Sequence, residues 1–70
     1  MPHRRIIQDP NIMMGKPTIR GTRVTVSMIV RQLAQGETVA SLLERYSYLT
    51  QKDISEVLEY AAWRLAGARS

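Results

Sequence analysis

The segment GKPTIRGTRVTV, residues 15–26, constrains the fold more than any other part of the chain. Most of its residues after the proline are β-branched, and Val, Ile and Thr favour extended backbone. Gly21 and Thr22 separate two β-prone runs, and a Gly in the first central position suits a type II′ turn. The segment therefore predicts a β-hairpin.

In that hairpin, Arg20 and Arg23 are expected to lie directly opposite each other. Like charges in such a position destabilise an antiparallel pair, unless an anion such as a phosphate or a carboxylate bridges the two guanidinium groups. The alternative is that both long side chains extend into solvent at little cost. The arginine pair therefore predicts either an anion site or a solvated turn.

The short length and the lack of cysteine limit what can stabilise the fold. The 70 residues form one domain, and a core of this size supplies about 3–5 kcal/mol unaided. Without cysteine there is no disulfide and no thiolate, so we expect at least a homodimer. No apolar run approaches the roughly 20 residues of a membrane span, and no secretory signal begins the chain. These features predict a cytoplasmic protein with no membrane partner.

The basic residues are concentrated in the first half of the chain. The net charge is +4; residues 1–35 carry six Lys and Arg against one Asp, whereas residues 36–70 carry four against five acidic residues. A basic half is typical of proteins that bind a polyanion or an acidic partner, although small basic proteins also occur without one.

Residues 1–5 contain Arg4 and Arg5 and have no apolar period. They predict a flexible basic arm ahead of the strands and hairpin of residues 6–26. Such arms enter the minor groove beside helical DNA-binding domains, but an untethered terminus is also often simply disordered.

Two apolar stripes with helical spacing predict the first two helices. Ser27 is the expected N-cap of the first helix and Gly36 its stop, while the second helix begins after Thr38. The expected core stripes are Val26, Ile29, Val30 and Leu33 in the first helix, and Val39, Leu42, Leu43 and Tyr46 in the second.

The third helix has the clearest start, because Thr50 and Asp53 approximate a capping box. It is expected to run to about Leu65, with Gly67 ending it. Its expected core stripe is Ile54, Val57, Leu58, Ala61 and Leu65.

Together, the hairpin and the helical region of residues 27–65 predict a mainly α, homeodomain-like three-helix domain with a short N-terminal β-hairpin. The second and third helices have helix-turn-helix spacing, although their connection lacks the Gly often found there. In such a motif the third helix is the recognition helix.

The outer face of the third helix is expected to carry Lys52, Glu56, Glu59 and Trp63. Two glutamates in the middle of this face would repel DNA phosphates, so we expect only its N-terminal end to touch a groove, and the arm and hairpin to supply much of the affinity. The candidate nucleic-acid-binding residues are Arg4, Arg5, Lys16, Arg20, Arg23, Gln51, Lys52 and Ser55.

Trp63 is expected to face away from the core, near Tyr60. Large aromatic side chains exposed together mark interfaces, and Glu56 and Glu59 beside them would suit a basic partner. These four residues are the candidate partner or oligomer interface. The alternative is that the N-terminal strands of the same chain cover Trp63.

No catalytic or metal-binding constellation is recognisable. Asp53 and Glu56 are one turn apart but lack a nucleophile, a base or further ligands, and His3 is alone where a metal site needs several ligands. We therefore expect no enzyme activity, no cofactor and no metal.

The run GKPTIRGTRVTV closely resembles the motif of domain-of-unknown-function family 433 (DUF433), a small prokaryotic family. The resemblance continues through Gly36 and Tyr46 and covers roughly residues 6–62. Two positions depart from the family pattern: Met14 stands where many relatives have Gly, and Ser47 where many have Pro. The resemblance implies a homeodomain-like three-helix fold.

Many members of the family resemble the VapB-like antitoxins of toxin–antitoxin modules, encoded beside a PIN-like ribonuclease toxin. The resemblance thus implies an antitoxin that binds and neutralises such a toxin and binds operator DNA to autoregulate its operon. For neutralisation, we expect Arg20, Arg23 or Arg4 to reach the acidic metal site of the toxin. The alternatives are a stand-alone helix-turn-helix DNA-binding regulator and a protein-interaction adaptor that uses the Trp63 face.

Overall fold

Two short antiparallel strands hold the N-terminal segment against the hairpin region. The computed structural model describes residues 3–69, with side chains up to Gly67. β1 (Ile6–Ile7) pairs with β2 (Thr18–Ile19). A two-strand antiparallel hairpin is therefore present before the helices, as predicted, but it pairs β1 with β2 across a long excursion, residues 8–17. The hairpin predicted within residues 15–26 is limited to a bridge between Thr18 and Thr25 and the bond from the Ile19 N–H to the Val24 carbonyl.

The chain reversal after β2 differs from the predicted type II′ turn. The Thr22 N–H donates to the Ile19 carbonyl at 3.0 Å, which makes Arg20 and Gly21 the central residues. Gly21 has φ +79° and so occupies the second central position, where a type II turn requires a positive φ. The Thr22 hydroxyl also donates to the Ile19 carbonyl and accepts from the Val24 N–H. The Thr22 hydroxyl therefore takes the Val24 N–H, which in a regular antiparallel pair would donate to the Ile19 carbonyl.

The excursion between the strands ends in a tight 3₁₀ turn, Met13–Gly15. All three residues have positive φ, of 49°, 56° and 80° in order. The left-handed region is ordinary for Gly but costs an L-residue with a side chain about 1–2 kcal/mol. Met14, with φ +56°, is therefore backbone-strained.

The first helix, α1 (Val26–Ala34), begins two residues earlier than a cap at Ser27 predicts. Its N-cap is Thr25 rather than Ser27, because the Thr25 hydroxyl accepts the Met28 N–H at 3.0 Å. A β-bridge to Thr18 holds Thr25 extended and in place to do so. Gly36, with φ +102°, follows the end of α1 as expected.

The other two helices begin where their capping residues predicted. α2 (Val39–Arg45) follows Thr38, whose hydroxyl accepts the Ser41 N–H. The capping box of α3 (Gln51–Arg69) is confirmed, since the Thr50 N–H donates to Asp53 at 2.8 Å and the Asp53 N–H to Thr50 at 3.2 Å.

The end of α3 was predicted wrongly, because the helix continues through Gly67 to Arg69. A Gly in an exposed helix costs only about 1 kcal/mol relative to Ala, so it need not stop one. No helix in residues 3–69 has the length and apolar character needed to cross a membrane.

All three helices and the hairpin contribute to one core. Its buried apolar residues are Ile19, Val24, Val26, Ile29, Leu42, Leu49, Ile54, Val57 and Tyr60. The predicted mainly α, three-helix fold with a short N-terminal hairpin is thereby confirmed.

The buried stripe of α3 is rotated from its predicted position. Leu58 and Leu65, expected in the core, are exposed, whereas Tyr60 and Glu56, expected on the outer face, are buried. The reason is that α3 packs against β1 as well as against α1 and α2. A second layer therefore covers a side of α3 that periodicity alone assigns to solvent.

Candidate nucleic-acid and partner-binding surface

Arg5 is committed to an ion-pair cluster on α3. Its Nε lies 3.0 Å from Asp53 Oδ1 and its Nη1 3.5 Å from Glu56 Oε1, while its backbone N–H also donates to the Glu56 carboxylate. The structure thus differs from the expected free arm at this residue. Arg5 is a clasp between the N-terminal segment and α3, and its charge is already neutralised.

His3 also belongs to this clasp. It is buried, with its ring 5.5 Å from those of Tyr60 and Trp63. Met1 and Pro2 of the predicted arm lie outside the described residues. Arg4 is exposed and has no ion-pair partner among residues 3–67, so it remains a free cation beside the clasp.

The two hairpin arginines lie in the loop beyond the last ladder bond, which joins the Ile19 N–H to the Val24 carbonyl. Both are exposed, and neither forms an ion pair with any side chain that the structure describes. The backbone N–H of Arg20 donates to the Arg5 carbonyl at 2.7 Å, which fixes one end of the loop. The predicted cross-strand pair of Arg20 and Arg23 is therefore replaced by two free cations on a single anchored loop.

An open cleft of about 680 Å³ brings Arg23 beside Tyr48. Ile12, Gly21 and Thr22 complete its lining. Tyr48 belongs to the connection between α2 and α3 and is largely exposed. The hairpin loop thus lies next to the turn of the predicted helix-turn-helix, a proximity that neither sequence segment reveals.

The N-terminal end of α3 presents polar side chains directly after this connection. Gln51, Lys52 and Ser55 are all exposed, and Lys52 has no ion-pair partner within the described part of the chain. Asp53, which lies between them in sequence, accepts the Thr50 N–H and forms an ion pair with Arg5. This end of α3 therefore offers hydrogen-bonding groups and one free cation.

The acidic character of the outer face of α3 is weaker than the sequence suggested. Glu56 is buried under the N-terminal segment and ion-paired with Arg5, which leaves Glu59 exposed. One of the two repelling glutamates is therefore withdrawn from solvent.

The four predicted interface residues do not form one exposed patch. Tyr60 is buried and accepts a hydrogen bond from Arg64 at 2.8 Å, whereas Trp63 is 48 % exposed. Its ring lies 5.7 Å from that of Tyr60 and under partial cover from His3. His3 of the same chain therefore covers Trp63 in part, and the role of the exposed remainder as an interface stays a prediction.

Lys16 is exposed on the rim of a groove between α1 and α3. It is therefore not part of the cleft that holds Arg23 and Tyr48. Sequence reasoning missed two residues, Tyr48 and Arg64. An aromatic residue just before a helix cap was the available signal for Tyr48.

A polar network joins α1 to α2. Glu37 Oε2 lies 3.3 Å from Arg45 Nη2 and its other oxygen accepts the Ser41 hydroxyl at 2.7 Å. The hydrogen bond from Ser41, and then the charge of Arg45, lower the pKa of the Glu37 carboxyl below its ordinary 4.5. Arg45 also donates to Gln32, whose amide donates to the Tyr46 hydroxyl. This network orients the helices and leaves Arg45 no free charge.

Among the described residues there is no group of three or more His, Cys, Asp or Glu side chains placed to hold a metal ion. The cleft beside Tyr48 and the groove beside Lys16 are lined by cations, hydroxyls and apolar groups. The surface is therefore suited to binding anions and apolar groups.

Comparison with known proteins identifies a family for most of the chain. The family model described as "Protein of unknown function (DUF433)" matches residues 6–61. That range contains both strands, the 3₁₀ turn, α1, α2 and the first half of α3. No curated protein and no solved structure matched the chain.

Proposed function

The chain belongs to the DUF433 family of proteins of unknown function, and from that premise we propose that it is an antitoxin-like protein. In this proposal it binds and neutralises a PIN-like ribonuclease toxin, and it binds operator DNA to autoregulate its operon. Its finer family relationship, to VapB-like antitoxins, is part of the proposal, as is a cytoplasmic homodimer.

The observation that carries the proposal is the state of the hairpin arginines. Arg5 and Arg45 are ion-paired with carboxylates of the same chain. Arg20 and Arg23 share one anchored loop and have no carboxylate partner in residues 3–67. Two free guanidinium groups on one loop are well suited to an oxyanion partner, because each can donate two parallel hydrogen bonds.

For toxin neutralisation, the partner would be the cluster of carboxylates that holds Mg²⁺ in the nuclease. An arginine inserted there forms charge-assisted hydrogen bonds with the oxygens that the metal needs. Arg20 and Arg23 are exposed in the loop beyond the last ladder bond, so their side chains are accessible to a partner. Neutralisation in this way requires no catalytic group on the antitoxin.

The test is co-expression of the tagged protein with each neighbouring open reading frame. We expect one neighbour to co-purify at fixed stoichiometry, to be toxic alone, and to lose its nuclease activity in the complex. Arg20→Ala/Arg23→Ala should fail to neutralise it. Arg31→Ala, which removes an exposed α1 cation with no described ion-pair partner, is the control and should neutralise normally.

If the double variant neutralises the toxin as well as wild type, the arginine mechanism is wrong. If the protein is recovered alone and both neighbours are harmless, the antitoxin role is wrong and a stand-alone DNA-binding regulator becomes the better proposal. The cleft between the hairpin loop and Tyr48 favours that second function, because it extends the N-terminal end of α3 with an arginine and an aromatic ring. An adaptor that uses the open side of Trp63 predicts no DNA binding at physiological salt.

A further inference from the structure

A groove of about 450 Å³ runs between α1 and the C-terminal half of α3. Its lining is mainly apolar and consists of Pro17, Val26, Val30, Ala61 and Leu65, with Lys16, Ser27 and Arg64. None of these residues lines the cleft that holds Arg23 and Tyr48. The groove is therefore a separate surface, and its binding properties do not depend on the proposed antitoxin role.

Two apolar residues of this groove are not buried in the core. Val30 is 37 % exposed and Leu65 67 % exposed, although both have apolar side chains on helices that bury other residues fully, such as Ile29 and Val57. Val30 on α1 and Leu65 on α3 thus leave apolar surface exposed on both sides of the groove, and exposed apolar patches mark interaction sites in small soluble domains.

The spacing of the walls suits a helical occupant. Val26 and Val30 are one turn apart on α1, and Ala61 and Leu65 are one turn apart on α3. Both walls therefore repeat at about the 5.4 Å pitch of an α-helix. An amphipathic helix laid in such a groove places apolar anchors at the same interval.

The charge of the rim selects among such helices. No acidic residue lines the groove, whereas Lys16 and Arg64 do, and neither has a carboxylate partner among residues 3–67. Arg64 donates to the Tyr60 hydroxyl, which orients the guanidinium group without neutralising it. We propose that this groove binds an amphipathic helix of a partner protein whose apolar stripe is flanked by Asp or Glu.

A second copy of the chain is a poorer occupant. A symmetric interface brings the same patch of both subunits together, so the Lys16 and Arg64 cations of each copy would enter a single interface. Like charges across an interface oppose association. Acidic flanks on a different protein would instead pair with both cations.

The test is selection against the full chain of a display library of helical peptides, with fixed leucine anchors and randomised flanking positions. We expect the enriched peptides to carry Asp or Glu at the flanks. Leu65→Ser should weaken binding of the best peptide by about tenfold or more. Leu58→Ser, which changes an exposed leucine of the same helix outside the groove, should leave the affinity unchanged.

Charge reversal gives an independent readout. Lys16→Glu/Arg64→Glu should bind the selected peptide more weakly and prefer its lysine-flanked counterpart. Circular dichroism would establish that each variant is folded. Selection without acidic bias, no enrichment relative to the Leu65→Ser protein, or a wild-type dimer that Leu65→Ser dissociates would each overturn the proposal.

Discussion

The Arg5 guanidinium lies 3.0 Å from the carboxylate of Asp53, across 48 residues of sequence. Asp53 also caps α3, and the neighbouring Glu56 accepts the Arg5 backbone N–H. One side chain therefore ties the N-terminal segment to the first turns of the longest helix. The chain uses for its own stability an arginine that sequence analysis assigned to DNA.

Replacing Arg5 with Ala should lower the free energy of unfolding by about 1 kcal/mol, because two partly buried carboxylates lose their cation. Arg4→Ala removes the same charge from the adjacent exposed position and should change stability by less than about 0.5 kcal/mol. Urea denaturation of both variants measures the difference. Equal stability of the two variants would mean that the ion pairs contribute nothing.

Replacing Met14 with Gly should stabilise the protein by about 1 kcal/mol. Met14 has φ +56° and ψ 35°, and 87 % of its surface is exposed, so Gly relieves backbone strain and removes little packing. The gain is reduced by the greater freedom of Gly in the unfolded chain. Met14→Ala keeps the β-carbon and the strain, and its thermal midpoint should stay near that of wild type.

Local signals predicted the helix starts because the groups involved are three residues apart. Thr50 and Asp53 form the same hydrogen bonds wherever the helix packs. The choice of Thr25 over Ser27 could not be predicted in this way, since both are competent caps. It depends on the bridge that holds Thr25 against Thr18.

The burial of Glu56 and Tyr60 could not be predicted from the sequence, for a similar reason. Helical periodicity gives the residues that share a face, but it does not identify the segments that cover the face. Glu56 is covered because Arg5 lies over it, and Tyr60 because His3 does. The sequence placed both arginines at the turn, but it could not predict that Tyr48 lies beside Arg23, because segments distant in sequence meet there.

Glu37 should make the protein less stable in acid. Its folded-state pKa is lowered, by the Ser41 hydrogen bond and then by Arg45. The contribution of Glu37 to the free energy of unfolding is therefore complete above the pKa of the unfolded state, 4.5, and is lost as the pH falls through the lower pKa of the folded state. Glu37→Gln should remove this part of the pH dependence, as measured by urea denaturation between pH 3 and about pH 7.

Glu44→Gln is the matched control for that experiment. Glu44 is exposed on α2 and forms no ion pair with a described residue. The Glu44→Gln protein should lose stability in acid as wild type does. A Glu37→Gln protein that loses stability in acid as steeply as wild type would contradict the assignment to the Glu37 network.

If the protein binds DNA through the hairpin loop and the start of α3, Arg23→Ala and Lys52→Ala should each weaken binding and reduce the slope of log affinity against log salt by about one. In the wild-type complex, each of these free cations contacts a phosphate and releases a counterion, and the alanine variant loses that release. Arg31→Ala removes an equal charge from α1 and should change the slope less. Fluorescence anisotropy with operator DNA from the protein's own promoter, over a salt series, provides the measurement.

Tyr48→Ser tests the cleft itself, because it changes no charge. Tyr48 is 62 % exposed, so its loss should leave the fold intact. If the ring contacts DNA beside Arg23, the variant should bind more weakly at every salt concentration with an unchanged slope. Reduced slopes for Arg23→Ala and Arg31→Ala alike, with no effect of Tyr48→Ser, would mean that binding follows net charge alone and that this cleft is not the DNA-binding surface.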